Sequence, residues 1–242
     1  YTLGKYYRDG THVDKSMDQA VRLFLLSAEQ NNAYAAYQLG KLYLAGEGIP
    51  KDVEMAVKWL KCSAEQRNVY AQYALGKLYL CGEDVTQDIE KALDYLKASA
   101  KQNHEYASYQ LGKLYLNGEV VPKDVGAAVR YLETSAGNGN QFAQYALGKL
   151  YLQGKDVSRD KEKAMNYLEI SAAQGNLYAK FLLEHLDSFR DPSPFLAATR
   201  LLHRLESLFR EDYRKTTNSD PYSIDRKRRR KLAEKKQAQG HK

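Results

Sequence analysis

The chain has 242 residues, with 37 Lys and Arg against 30 Asp and Glu, a formal net charge of +7, and only two cysteines. It holds no apolar run of the roughly 18 residues that a membrane-spanning helix needs, and its cysteine-poor composition fits a soluble, helical protein in reducing, cytoplasmic surroundings. The excess charge is local: residues 214–242 hold 11 basic and 3 acidic residues, a balance of +8, which leaves the other 213 at −1.

In chain order, the first element is an incomplete one. Leu3-Gly4 is a weak copy of a segment, LGKLYL, that recurs at Leu39-Gly40, Leu75-Gly76, Leu111-Gly112 and Leu147-Gly148, each 36 residues after the last. Tyr1 aligns with Tyr37, Tyr73, Tyr109 and Tyr145, so the chain opens inside a helix and without Met, as an excerpt from a longer protein would. Self-similarity at this period predicts a solenoid, whose small units bury their apolar faces only against one another.

Each unit predicts two helices. The first carries Ala35, Leu39 and Tyr43 at i, i+4, i+8, repeated as Ala71-Leu75-Tyr79, Ala107-Leu111-Tyr115 and Ala143-Leu147-Tyr151, a spacing that places them on one face. Gly46, Gly82, Gly118 and Gly154 end it. Glycine within a helix costs about 0.8–1.0 kcal/mol against alanine, so Gly40 and its equivalents predict a neighbouring helix backbone too close for a Cβ. The second helix is expected to start after Asp52, Asp88, Asp124 and Asp160, and after Ser16 in the first unit, where a side-chain oxygen can accept from first-turn amides. Its buried stripe reads Ala56, Trp59, Leu60, Ser63, Ala64, with Ala92, Tyr95, Leu96, Ser99, Ala100 and Ala164, Tyr167, Leu168, Ser171, Ala172 as counterparts. Asn31, Asn103, Gly139 and Gly175 suit a left-handed residue after it, and Arg67 is the exception.

The array is expected to span residues 1–187, a truncated unit, four full units and a half unit in which Tyr178, Ala179, Phe181 and Leu183 keep register while Glu184 replaces the glycine. Residues 188–213 predict a capping helix, with Ser193 as N-cap, Pro194 at its first position and Phe195, Ala198, Leu202, Leu205 and Phe209 on one face. Residues 214–242 form a basic tail with too little apolar surface to fold alone.

These residues resemble a known family. Ala-x-x-x-Leu-Gly-x-x-Tyr-x-x-Gly, a loop, Asp, then Lys/Met-Ala-x-x-Trp/Tyr-Leu-x-x-Ser-Ala is similar to the Sel-like repeat, a relative of the tetratricopeptide repeat. The longer loop GEGIPKD, Gly46 to Asp52, separates this unit from the slightly shorter tetratricopeptide one. The resemblance implies an all-α, right-handed α/α superhelical solenoid whose first helices line a concave face that holds partner proteins. Cys62 and Cys81 fit no repeat-by-repeat pairing of the kind that disulfide-rich secreted members of the family show.

By analogy with tetratricopeptide packing, the groove would be lined by Tyr34, Tyr37, Lys41, Leu44 and Ala45, then Tyr70, Tyr73, Lys77, Leu80 and Cys81. Tyr106, Tyr109, Lys113, Leu116 and Asn117 follow, and then Phe142, Tyr145, Lys149, Leu152 and Gln153. Two aromatic rows beside a lysine row could clamp a protein or peptide of acidic character; equally, the tyrosines could serve stacking between repeats and the lysines solvation. The variable Ala45, Cys81, Asn117 and Gln153 are the candidates for selectivity.

In the tail, Arg226, Lys227, Arg228, Arg229, Arg230, Lys231, Lys235 and Lys236 suit the phosphates of DNA, or act only as a solubilising segment. The stretches at 187–205 and 224–242 are similar to the C-terminal part of mobilisation relaxases of conjugative elements of gut Gram-positive bacteria. That resemblance implies a non-catalytic accessory module whose basic tail touches DNA. No enzyme, metal site or cofactor is expected: His12, His104, His185, His203 and His241 form no HExxH pair or Cys/His ligand set, and the Gly-Lys of LGKLYL lacks the glycine and Ser/Thr of a phosphate loop.

Overall fold

The computed structural model describes residues 1–185. The described residues form α1 (Thr2–Asp9), α2 (Met17–Glu29), α3 (Ala33–Ala45), α4 (Val53–Glu65), α5 (Val69–Cys81), α6 (Ile89–Ala100), α7 (Glu105–Asn117), α8 (Val125–Gly137), α9 (Gln141–Gln153), α10 (Lys161–Ala173) and α11 (Leu177–His185). They contain no strand. From α1 to α10 each helix packs on the next, giving an α/α superhelical solenoid, and Tyr1–Leu183 make up one compact unit. The capping helix expected over 188–213 and the basic tail over 214–242 lie outside the described residues.

Local chemistry sets both ends of the helices. The Asp52, Asp88, Asp124 and Asp160 carboxylates accept from the backbone N–H three residues on, at 2.9, 3.0, 2.8 and 2.9 Å, while Ser16 does so at 3.4 Å. The first helix of each unit has its own cap: Asn32, Asn68 and Asn140 accept from first-turn amides at 2.9–3.1 Å. At the far end Gly46, Gly82, Gly118 and Gly154 adopt φ of 61–70°. Arg67 takes φ 61° like its counterparts Asn31 and Asn103. The solenoid therefore imposes the left-handed conformation even where the sequence offers an arginine that disfavours it.

Packing within a unit centres on the LGKLYL glycine. A Cβ on Gly40 would lie 2.6 Å from Leu60 Cγ and 3.2 Å from the Ala56 carbonyl oxygen; at Gly76 the same contacts, to Leu96 and Ala92, are 2.7 and 3.2 Å. The expected close approach is thus made first by a leucine side chain and only then by the facing backbone. Leu60, Leu96, Leu132 and Leu168 are completely buried there, each a contribution of about 1.5–3 kcal/mol. A buried serine one turn on closes the pair: Ser63, Ser99, Ser135 and Ser171 donate to the carbonyls of Ala33, Val69, Glu105 and Gln141 at 2.6–2.9 Å.

Part of the expected stripe sits at the flank. Trp59, Tyr95, Tyr167 and Ala172 are half-buried, and Tyr95 and Tyr167 stack at 4° on Tyr79 and Tyr151, with centroids 6.1 and 6.2 Å apart. Their rings cover the seam between the two helices instead of filling the core.

Gly76→Ala is expected to destabilise the protein by about 1–2 kcal/mol, because overpacking against Leu96 outweighs the gain in helix propensity. Gly137→Ala, with nothing within 4 Å of the added carbon, is expected to be neutral or slightly stabilising. Urea midpoints of the two variants check this.

Candidate partner-binding surface

The aromatic residues picked out from the repeat register form one continuous ladder along the first helices. Tyr1 meets Tyr34 at a centroid distance of 6.0 Å, Tyr37 meets Tyr70 at 5.9 Å, Tyr73 meets Tyr106 at 6.3 Å, and Tyr109 meets Phe142 at 6.2 Å. Tyr145 continues it to Tyr178 at 6.0 Å. Each rung thus joins the inner ring of one unit to the outer ring of the next, so the two rows are a single inter-repeat stack. Beside it, Lys5, Lys41, Lys77, Lys113 and Lys149 lie 5.5–5.9 Å from the centroids of Tyr1, Tyr37, Tyr73, Tyr109 and Tyr145, one helical turn earlier.

Stacking does not hide the outer row. Tyr34, Tyr70, Tyr106 and Phe142 keep 54, 47, 45 and 38% of their surface exposed. Tyr37, Tyr73 and Tyr109 are half-buried. Burial, assisted by Tyr145, pushes the pKa of the Tyr109 hydroxyl up to about 12, so it stays protonated at neutral pH.

Three expected lining residues belong to the interior. Leu44 and Leu152 are 3 and 1% exposed, and Tyr145, in ring contact with Tyr178 of α11, is 8% exposed. Leu80 and Leu116 are half-buried. The variable positions Ala45, Cys81, Asn117 and Gln153 are the last residues of α3, α5, α7 and α9; Cys81 and Asn117 are exposed, Ala45 and Gln153 partly so. The tail residues Arg226, Lys227, Arg228, Arg229, Arg230, Lys231, Lys235 and Lys236 lie outside the described residues.

Sequence reasoning missed His104. It occupies the place held in other units by the capping asparagine, and its Nδ1 accepts from the Ala107 N–H at 3.3 Å, which leaves the proton of the neutral ring on Nε2. Its ring lies 5.6, 4.9 and 5.8 Å from those of Tyr70, Tyr73 and Tyr106, inserted into the ladder. Burial pushes its pKa down to about 4. The signal was legible: one histidine in a column of asparagines spaced by the repeat.

Residues 1–32, 33–68, 69–104, 105–140 and 141–176 each match the Sel1 repeat. This chain belongs to the Sel1 repeat family. Among solved structures, a Sel1 repeat protein from Oxalobacter formigenes is 32% identical over 74% of this chain and 73% of that one, with a TM-score of 0.69. The protective antigen c5321 of uropathogenic Escherichia coli strains, which displays an SLR fold, is 29% identical over 79% of this chain and 42% of that chain, with a TM-score of 0.72. The match therefore takes in less than half of the antigen's length. No curated protein matches. Sel1 repeat proteins are protein-interaction scaffolds, and the fold is generally non-catalytic. No described helix of this Sel1 repeat protein is long and apolar enough to cross a membrane.

Because folding lowers the His104 pKa from its ordinary 6.5 to about 4, the folded state binds that proton less well than the unfolded chain. The cap's contribution is complete above about pH 6.5 and is lost as the pH falls toward 4. Thermal melts are expected to show the midpoint dropping over this window, and His104→Asn is expected to flatten the drop.

Proposed function

We propose that this Sel1 repeat protein is a scaffold that holds an acidic peptide segment of a partner protein along the aromatic and lysine ladder of its first helices. The observation that carries the reading is the fivefold recurrence of a lysine over a tyrosine beside a row of exposed rings. Exposed rings offer large contact area with little side-chain freedom to lose, and such residues dominate binding energy at interfaces. The lysine row favours carboxylates and speeds their approach. Ala45, Cys81, Asn117 and Gln153, which differ from unit to unit at the same register, supply selectivity between acidic sequences.

Binding of labelled acidic, neutral and basic peptides tests this. Acidic peptides are expected to bind best and to weaken as salt rises, since exposed charges are screened. Tyr73→Ala and Lys77→Ala are each expected to weaken binding by about tenfold with little loss of helicity by circular dichroism. Capture unaffected by both changes would remove the ladder as the site.

The finer reading gives the protein a place in DNA mobilisation, as the non-catalytic C-terminal module of a conjugation protein whose tail, from Arg226 to Lys236, contacts nucleic acid. Its support is the +8 balance of residues 214–242 and the C-terminal resemblance. The free thiols of Cys62 and Cys81 suit the cytoplasmic setting such a role needs. DNA titrations at two salt concentrations, with the full chain and with one ending at Asp220, are expected to show a salt-steep affinity that disappears with the tail. DNA affinity retained without the tail would overturn the assignment.

A further inference from the structure

The units are not equivalent: they alternate, and the alternation leaves the α6–α7 joint, like the α2–α3 joint where Ala36 replaces the glutamine and Gly48 the aspartate, without the ties that α4–α5 and α8–α9 carry. Gln72 and Gln144, which hold the same place two units apart, each reach back across a joint, donating to the carbonyls of Ala64 and Ala136 at 3.4 and 3.2 Å. Each also accepts from a glutamine, Gln102 or Gln174, at 2.8 and 3.0 Å. The inter-helix loops alternate in the same way: Lys51 pairs with Asp84 at 2.6 Å and Lys123 with Asp156 at 2.5 Å. The α4–α5 and α8–α9 joints therefore carry both a buried amide tie and a loop ion pair.

At the intervening α6–α7 joint every one of these features is replaced. Ser108 stands in the place of the glutamine, and its Oγ is buried without a hydrogen-bond partner. The loop positions that would form the ion pair are Gln87 and Val120, and Gln87 bonds to Leu80 of its own unit at 2.8 Å. His104 replaces the asparagine cap with a single bond of 3.3 Å, where Asn68 and Asn140 each accept two at 2.9–3.1 Å. The backbone bond that closes the joint, from the His104 N–H to the Ser99 carbonyl, is 3.4 Å, against 3.1 Å at the other four joints.

We infer that the α6–α7 joint is the hinge of the solenoid, where two four-helix blocks, α3–α6 and α7–α10, open and bend against each other. In a repeat array each unit is held only by its neighbours, so an internal interface that lacks the buried amide tie and the loop ion pair opens more readily than those that have them. The rings of Tyr70, Tyr73 and Tyr106 around His104 maintain apolar contact across the joint, while the side-chain bond that crosses it, from the Asn138 amide to the Asn103 carbonyl at 3.1 Å, is exposed to solvent. On the proposed function, bending here changes the offset between the two halves of the ladder and lets one surface fit ligands of different length.

Hydrogen exchange of the whole, unliganded protein tests the hinge independently of any ligand. Amides in residues 97–109 are expected to exchange about fivefold or more faster than those in 61–73 and 133–145, the corresponding stretches of the tied joints. The double variant His104→Asn, Ser108→Gln, which restores the cap and the amide tie, is expected to slow exchange in 97–109 by about five- to tenfold and to leave 61–73 unchanged. Equal exchange at the three joints in the unmodified protein would overturn the hinge, as would a folded double variant with no added protection at 97–109. Peptide affinity plays no part in either outcome, so loss of the hinge and loss of the binding surface are separable results.

Discussion

The contact between a leucine and a bare glycine backbone governs this architecture. Leu60, Leu96, Leu132 and Leu168 can be completely buried only because Gly40, Gly76, Gly112 and Gly148 leave room for them, and that nesting fixes how the two helices of a unit approach. Once the approach is set, the serine one turn along the second helix reaches a first-turn carbonyl of its partner, and the tyrosines farther along can stack in parallel at the seam. The cost of a glycine within a helix is repaid in apolar burial, and the same solution recurs in every full unit, with Phe24 against Gly4 in the first. Stability is thereby distributed along the array, with no single central core.

Features decided within a few residues of chain were legible in the sequence. The aspartate caps, the terminating glycines and the two-helix unit all follow from local backbone chemistry repeated at a fixed spacing. Features decided between units were not. Arg67 adopts a left-handed conformation because the joint dictates it, whatever the side chain prefers. Tyr145 shares the register of Tyr37, Tyr73 and Tyr109 and the same ring and lysine neighbours, yet is buried where they are half-buried. Leu44 and Leu152 share the register of Leu80 and Leu116 yet lie in the interior. Register names the residues that can face a groove, and stacking decides how much of each remains available.

The aromatic ladder reconciles two roles that looked like alternatives in the sequence. The inner tyrosines are committed to the neighbouring unit, as a purely structural role requires, while the outer rings keep close to half their surface in water. Presenting exposed aromatics from a stacked base limits the motion they would lose on binding, a form of preorganisation. His104 departs from this pattern, combining a capping function with a place among the rings, and it does so at a joint without the buried amide tie and the loop ion pair.

The alternation of tied and loose joints also has a consequence for how such an array can change length. Removing two consecutive units, residues 69–140, would bring Lys51 into register with Asp156 and Gln144 into register with the Ala64 carbonyl, so the remaining junction would keep both kinds of tie. Removing one unit, residues 69–104, would set Lys51 against Val120 and leave Ser108 in the place of the glutamine. This array can thus lose a pair of units and keep complementarity at the new junction, whereas an odd step breaks it: the complementary module is a pair of units, twice the visible repeat.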